Sequence, residues 1–102
     1  REVVEHPGGV CALPVLPDGR LLLVRQFRYP LGGDLLEFPA GKLDVPGETP
    51  LDAMKRELWE ETGYRAETWR AFAPVYTAPG FCDEKIWLFM ASGLRLAEDR
   101  YH

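Results

Sequence analysis

The chain has 102 residues, 11.6 kDa, with 46% hydrophobic and 27% charged residues and a net charge of −4. That length suits one domain, and the apolar fraction excludes wholesale disorder. No apolar run approaches the roughly 20 residues of a membrane-spanning helix, no signal-peptide pattern opens the chain, and the acidity argues against a protein that coats nucleic acid.

In chain order, Val10–Leu16 and Leu21–Phe27 are aliphatic runs on either side of Pro17-Asp18-Gly19-Arg20, a turn signal that predicts a β-hairpin. Leu21–Val24 does not alternate polar with apolar residues, which predicts a strand covered on both faces. Leu35–Phe38 is a short strand stopped by Pro39, and residues 40–49 are a Gly/Pro-punctuated loop. The next element is a helix. Thr49 can cap its start, Pro50 suits its first position, Asp52 completes a capping-box-like pattern, and Gly63 supplies the stop. Beyond it, Thr68–Tyr76 and Lys85–Ala91 read as strands around a loop, Thr77–Glu84, that contains Pro79-Gly80. Strands, one helix and more strands predict an α/β layered domain with a mixed sheet. Cys11 and Cys82 lack CxxC spacing and histidine neighbours, so they read as reduced thiols of a cytoplasmic protein.

The charge is concentrated. Residues 41–63 hold six acids against three bases, while the rest of the chain is close to balanced. Within the predicted helix, Glu57, Glu60 and Glu61 stand at i, i+3 and i+4 and share an arc of about 100° beside the stripe Leu51, Met54, Leu58 and Thr62. Like charges at that spacing destabilise a helix, and the dipole at its C-terminal end disfavours anions further. A hard divalent cation would reverse the sign of both effects. The alternative is a solvated acidic face, which the triplet alone does not rule out.

Residues 41–64, GKLDVPGETPLDAMKRELWEETGY, resemble the Nudix box, Gly-x5-Glu-x7-Arg-Glu-U-x-Glu-Glu-x-Gly-U, where U is a bulky apolar residue. Gly41, Glu48 and the run Arg56-Glu57-Leu58-Trp59-Glu60-Glu61-Thr62-Gly63-Tyr64 supply the anchors. The match departs at one point, where six residues rather than five separate Gly41 from Glu48, as though Val45 were inserted. LLLVRQFRYP (21–30), LLEFPAGK (35–42) and APGFCDEKIWLF (78–89) are similar to the ADP-ribose pyrophosphatase branch of the Nudix hydrolases. The resemblance implies an α/β (α+β) fold, an α/β/α sandwich around a mixed sheet. It also implies a single domain over residues 1–102 that is short at both ends, with the closing helix expected beyond His102.

The implied reaction is Mg²⁺-assisted (or Mn²⁺-assisted) hydrolysis of a nucleoside diphosphate linked to another group, with ADP-ribose giving AMP and ribose 5-phosphate. A different nucleotide substrate (a triphosphate or a dinucleotide) and a non-catalytic nucleotide-sensing module are the alternatives, since the box specifies chemistry and not specificity. By the family match, Glu57 and Glu61 are metal ligands, with Glu60 a third. The main-chain carbonyl of Ala40 is another, and Glu48 organises the loop or binds a further ion. Arg56 is expected to pair with a box carboxylate and fix its rotamer rather than bind phosphate. Arg28 is matched to a substrate-phosphate contact, against a surface salt bridge. Phe81 lines or stacks in the substrate pocket, against plain loop packing. Glu84 orients water or binds metal, against a strand-edge charge. Trp59, Trp69 and Trp87 read as packing residues. Glu98 is a weak candidate for the general base, which is otherwise expected beyond His102. The resemblance further implies a nucleoside diphosphate sugar as partner and a homodimer for the full-length protein, with no nucleic acid or membrane.

Overall fold

The computed structural model of the chain describes residues 8–28, 33–77 and 84–97. Seven strands and one helix follow in the order β1 (Gly9–Pro14), β2 (Val24–Arg28), β3 (Gly33–Glu37), β4 (Ala40–Lys42), α1 (Pro50–Thr62), β5 (Tyr64–Ala71), β6 (Val75–Thr77) and β7 (Glu84–Leu96). The main sheet runs β4-β1-β7-β5, with β6 pairing β7 on the same edge as β5. Because β1 and β7 are parallel and the other pairs antiparallel, the sheet is mixed, as expected. Helix α1 packs on β1, β4, β5 and β7. Ala53, Met54 and Leu58 on its inner face meet Val10, Ala12, Phe89, Ala91 and Leu94 of the sheet in one core, with Trp69 and Trp87 packed against it.

The hairpin expectation is corrected. Pro17-Asp18-Gly19-Arg20 does turn the chain, with Gly19 at φ 92° and Gly19 N–H donating to Leu16 O at 2.8 Å. The arms, however, stay together only for the bridge Val15–Leu21 and its flanking bonds. β1 then gives both of its edges to long-range partners, β4 and β7, and β2 pairs with β3 in a separate two-stranded ribbon. Leu21 and Leu23 are consequently exposed, and only Leu22 packs against the core, so the run is not covered on both faces. Residues 40–42, expected in a loop, form β4 because they fill the open edge of β1. The strand expected over Thr68–Tyr76 starts earlier, at Tyr64, and is divided. Pro74 has no N–H to donate, and the register against β7 shifts by one residue between Ala71↔Phe89 and Val75↔Ile86, a bulge. The last strand runs past Ala91 to Leu96. One helix stands among the described residues.

Candidate active site

The site is built on α1 and the segment that leads into it. Thr49 is extended (φ −74°, ψ 160°) and its hydroxyl accepts from Asp52 N–H at 3.1 Å. Pro50 opens the first turn without losing a helical hydrogen bond. Gly63, in the left-handed region at φ 80°, ends the helix by donating its N–H to Trp59 O at 2.8 Å. Start and stop are therefore fixed locally, and they set which face carries the carboxylates.

The extra residue of the preceding loop is absorbed in a tight turn. Pro46 and Gly47 (φ 82°) occupy its centre, and Glu48 N–H donates to Val45 O at 3.2 Å. Glu48 still reaches the helix, where it accepts from Arg56 Nε at 2.8 Å and from Arg56 Nη2 at 3.0 Å in a two-pronged pair. The Nη1 of the same guanidinium donates to Glu57 Oε2 and to Glu60 Oε1, each at 3.2 Å. One cation thus holds three carboxylates. It pulls the Glu48 carboxyl below its usual pKa, and Glu48 chiefly raises that of Arg56 in return. Arg56 thus pairs with box carboxylates, and its hydrogen bonds among the described residues go to Glu48, Glu57 and Glu60.

Glu57 and Glu61 stand on the side of the helix that meets β4. The Glu57 carboxylate lies directly over Gly41, where any Cβ would overlap it, which explains a glycine at that position without any unusual backbone angle. Glu61 Oε1 accepts from Ala40 N–H at 3.4 Å. Burial raises the pKa of Glu61 to about 7; a hydrogen bond that protonated Glu61 donates to the neighbouring Glu57 carboxylate and the Glu57 and Glu60 charges add to the rise, and the Ala40 N–H opposes it. Cys11, paired with Ala40 across the β1–β4 ladder, is close enough that the Glu61 charge adds to the rise that burial imposes on its thiol.

Glu48, Arg56, Glu57, Glu60, Glu61 and Ala40 are therefore brought together. Arg28 ends β2 and Glu84 begins β7, but their side chains, and the whole of Phe81 and Glu98, lie outside the described residues. Among the described residues, no three acidic, histidine or cysteine side chains converge on one point, and Arg56 contacts Glu48, Glu57 and Glu60. A divalent cation nonetheless fits the donor set. Glu57 and Glu61 offer hard oxygens at hydrogen-bond contact, and the burial that raises the Glu61 pKa disfavours its charge in the absence of a counter-ion. Sequence reasoning placed the Ala40 carbonyl here but missed its N–H, whose role depends on how β4 pairs with β1. It also missed the reach of Arg56 to three partners, although the i, i+4 spacing from Arg56 to Glu60 could have suggested one of them.

Residues 5–98 match the family model described as NUDIX domain. The chain is 45% identical over 100 residues to the ADP-ribose pyrophosphatase of Bacillus subtilis (strain 168), a match that covers 98% of this chain and 54% of the relative. It is 46% identical over 95 residues to the ADP-ribose pyrophosphatase of Mycobacterium tuberculosis (strain ATCC 25618 / H37Rv), covering 93% of this chain and 46% of that one. Among solved structures, an ADP compounds hydrolase superposes with a TM-score of 0.79 at 29% identity, covering 88% of this chain and 48% of that one. The chain spans about half the length of the curated relatives that it matches.

Proposed function

The chain belongs to the Nudix family, and from that premise we propose that it is the catalytic core of a hydrolase that converts ADP-ribose to AMP and ribose 5-phosphate. The observation that carries the reading is the cluster at the end of α1. Glu57 and Glu61 contact one another against Gly41 and Ala40, and Arg56 holds Glu57, Glu60 and Glu48 in place. The two pyrophosphatase relatives supply the choice of ADP-ribose among diphosphate substrates.

Glu57 and Glu61 would hold the cation, with Glu60, the Ala40 carbonyl and Glu48 as further oxygen donors. A bound Mg²⁺ or Mn²⁺ supplies polarised phosphoryl oxygens and an acidified water. The chain's own contribution is to fix the carboxylate rotamers through Arg56 and to close one side of the site with the β4 backbone. In the overall reaction, water oxygen bonds to one phosphorus, the bridging P–O bond breaks, and two phosphate monoesters leave. Arg28 at the end of β2, Phe81, and Glu84 at the start of β7 are the proposed substrate contacts. The retained carboxylates weigh against a purely sensing module.

The deciding experiment incubates ADP-ribose with the full-length protein and Mg²⁺ and resolves the products by chromatography. AMP and ribose 5-phosphate are expected, with activity abolished by a chelator and reduced roughly 100-fold or more in Glu61→Gln. Turnover that survives both treatments would remove the metal-carboxylate mechanism. Inertness toward ADP-ribose, with pyrophosphate released from a nucleoside triphosphate, would move the substrate to the triphosphate class.

We also propose that the full-length protein pairs with a second copy through the β2–β3 ribbon. Leu23, Leu35, Leu36 and Phe38 are all exposed there, and a two-stranded ribbon is marginal by itself in water.

A further inference from the structure

Gly41 is the middle residue of β4, a place where the backbone does not call for glycine. Its φ is outside the left-handed region, and a glycine inside a strand weakens it, since it loses more chain entropy on folding and offers no side chain to pack. Gly8 and Gly93 differ: both have positive φ, so the fold itself favours glycine there. At Gly41 the space of the missing side chain is taken by one residue. The three nearest atoms to a Cβ built there are the Cγ, Cδ and Oε2 of Glu57, all too close for a real Cβ. That Oε2 is the atom that accepts from Arg56 Nη1.

A side chain at this position would force either the strand or the carboxylate to yield. β4 is pinned: Gly41 pairs with Val10 of the core, and on either side Leu43 N–H donates to Gly8 O at 3.1 Å and Ala12 N–H to Pro39 O at 3.0 Å. The Glu57 carboxylate is the end of a flexible side chain, held by one Arg56 donor and by its contact with Glu61. The carboxylate therefore moves and the strand does not. Moving it breaks both of those contacts and leaves Arg56 its two-pronged pair with Glu48. We propose that Gly41 is a positioning residue: it keeps the floor under Glu57 clear, so that the Glu57 carboxylate stays beside that of Glu61, and it serves the cation site rather than the fold. This role rests on the hydrolase reading above, in which that pair holds the cation.

The test is a double-mutant cycle read by Mn²⁺ titration of the full-length protein without substrate, the free ion being followed by electron paramagnetic resonance. Gly41→Ala is expected to weaken Mn²⁺ binding by roughly tenfold or more in the parent, but by less than about twofold in the Glu57→Ala background, where no carboxylate is left to displace. In EDTA its melting temperature should lie above the parent's or within about 4 °C of it, because alanine suits this backbone and leaves the unfolded chain fewer conformations. Gly33→Ala, where nothing among the described residues lies within 4 Å of an added Cβ, should keep the parent's Mn²⁺ affinity. Equal binding by the parent and Gly41→Ala, the same loss in both backgrounds, or a larger fall in melting temperature would overturn the role of Gly41 and leave the hydrolase reading in place. A parent that binds no Mn²⁺ would remove the metal reading, and this role with it.

Discussion

Arg56 contributes more through its shape than through its charge. A lysine could neutralise one carboxylate, but only a planar fork can meet Glu48 with two donors and still reach Glu57 and Glu60. Arg56→Lys should therefore reduce kcat/KM for ADP-ribose by roughly 10- to 100-fold, the usual cost of losing a residue that orients metal ligands. Steady-state kinetics over a Mg²⁺ series would show the loss as weaker apparent metal binding. At Glu61 the governing variable is pH. Its folded pKa of about 7 lies above the ordinary value of 4.5, so the native state holds a proton that the unfolded chain releases. That contribution is complete below about pH 4.5 and is lost as pH rises through about 7. The half-exposed position limits it to about 1 kcal/mol. In EDTA, the melting temperature of the parent should fall relative to Glu61→Gln across this window. Added Mg²⁺ should reverse the trend, because the cation displaces the proton. Glu57, Glu60, Glu61 and Arg56 were legible in the sequence because they share one helix, whereas Glu48 joins Arg56 from the turn before it. The Ala40 N–H that meets Glu61 was not, since its position depends on how β4 pairs with β1.

At the level of elements, α1 was readable almost to the residue because its signals are local. A capping hydroxyl, a proline and a left-handed glycine act within a turn of the residues they organise. Thr49→Ala should cost about 1 kcal/mol, which in a domain of this size lowers the melting temperature by roughly 4–8 °C. Gly63→Ala should cost a similar amount, about 1–2 kcal/mol, because alanine resists positive φ. Thermal unfolding followed by circular dichroism would measure both. The first hairpin shows the opposite case. Pro17-Asp18-Gly19 dictates a turn, but which edge each arm pairs with depends on β4 and β7, far along the chain. The same non-local control divides β5 from β6. Gly93 adds another instance: it lies opposite Glu67 at φ 68°, and the buried positions of both strands change phase there.

Across the whole molecule, the radius of gyration of 14.8 Å exceeds the roughly 13 Å usual for about 100 residues. The β2–β3 ribbon, whose principal contacts are between its own two strands, fits that excess. If the ribbon carries the contact with a second copy, Leu36→Glu, which charges a side chain that is 62% exposed, should shift the full-length protein from dimer to monomer in sedimentation velocity. Its melting temperature at low concentration should hardly change. An unchanged sedimentation coefficient would place the contact elsewhere.

The parallel pairing of β1 with β7 has a further consequence, for the time the chain takes to fold. Gly9 meets Ile86, so the centre of the sheet closes a loop that contains most of the molecule. Closing a flexible loop of that length costs about 4 kcal/mol of chain entropy before any contact offsets it. Contact order of this kind places folding in the millisecond-to-second range. α1 and the short turns can form early, but the floor beneath Glu57 and Glu61 is complete only when β1, β4 and β7 have come together. Competence to hold a cation should therefore appear with the slowest folding phase, as one of the last properties the chain acquires.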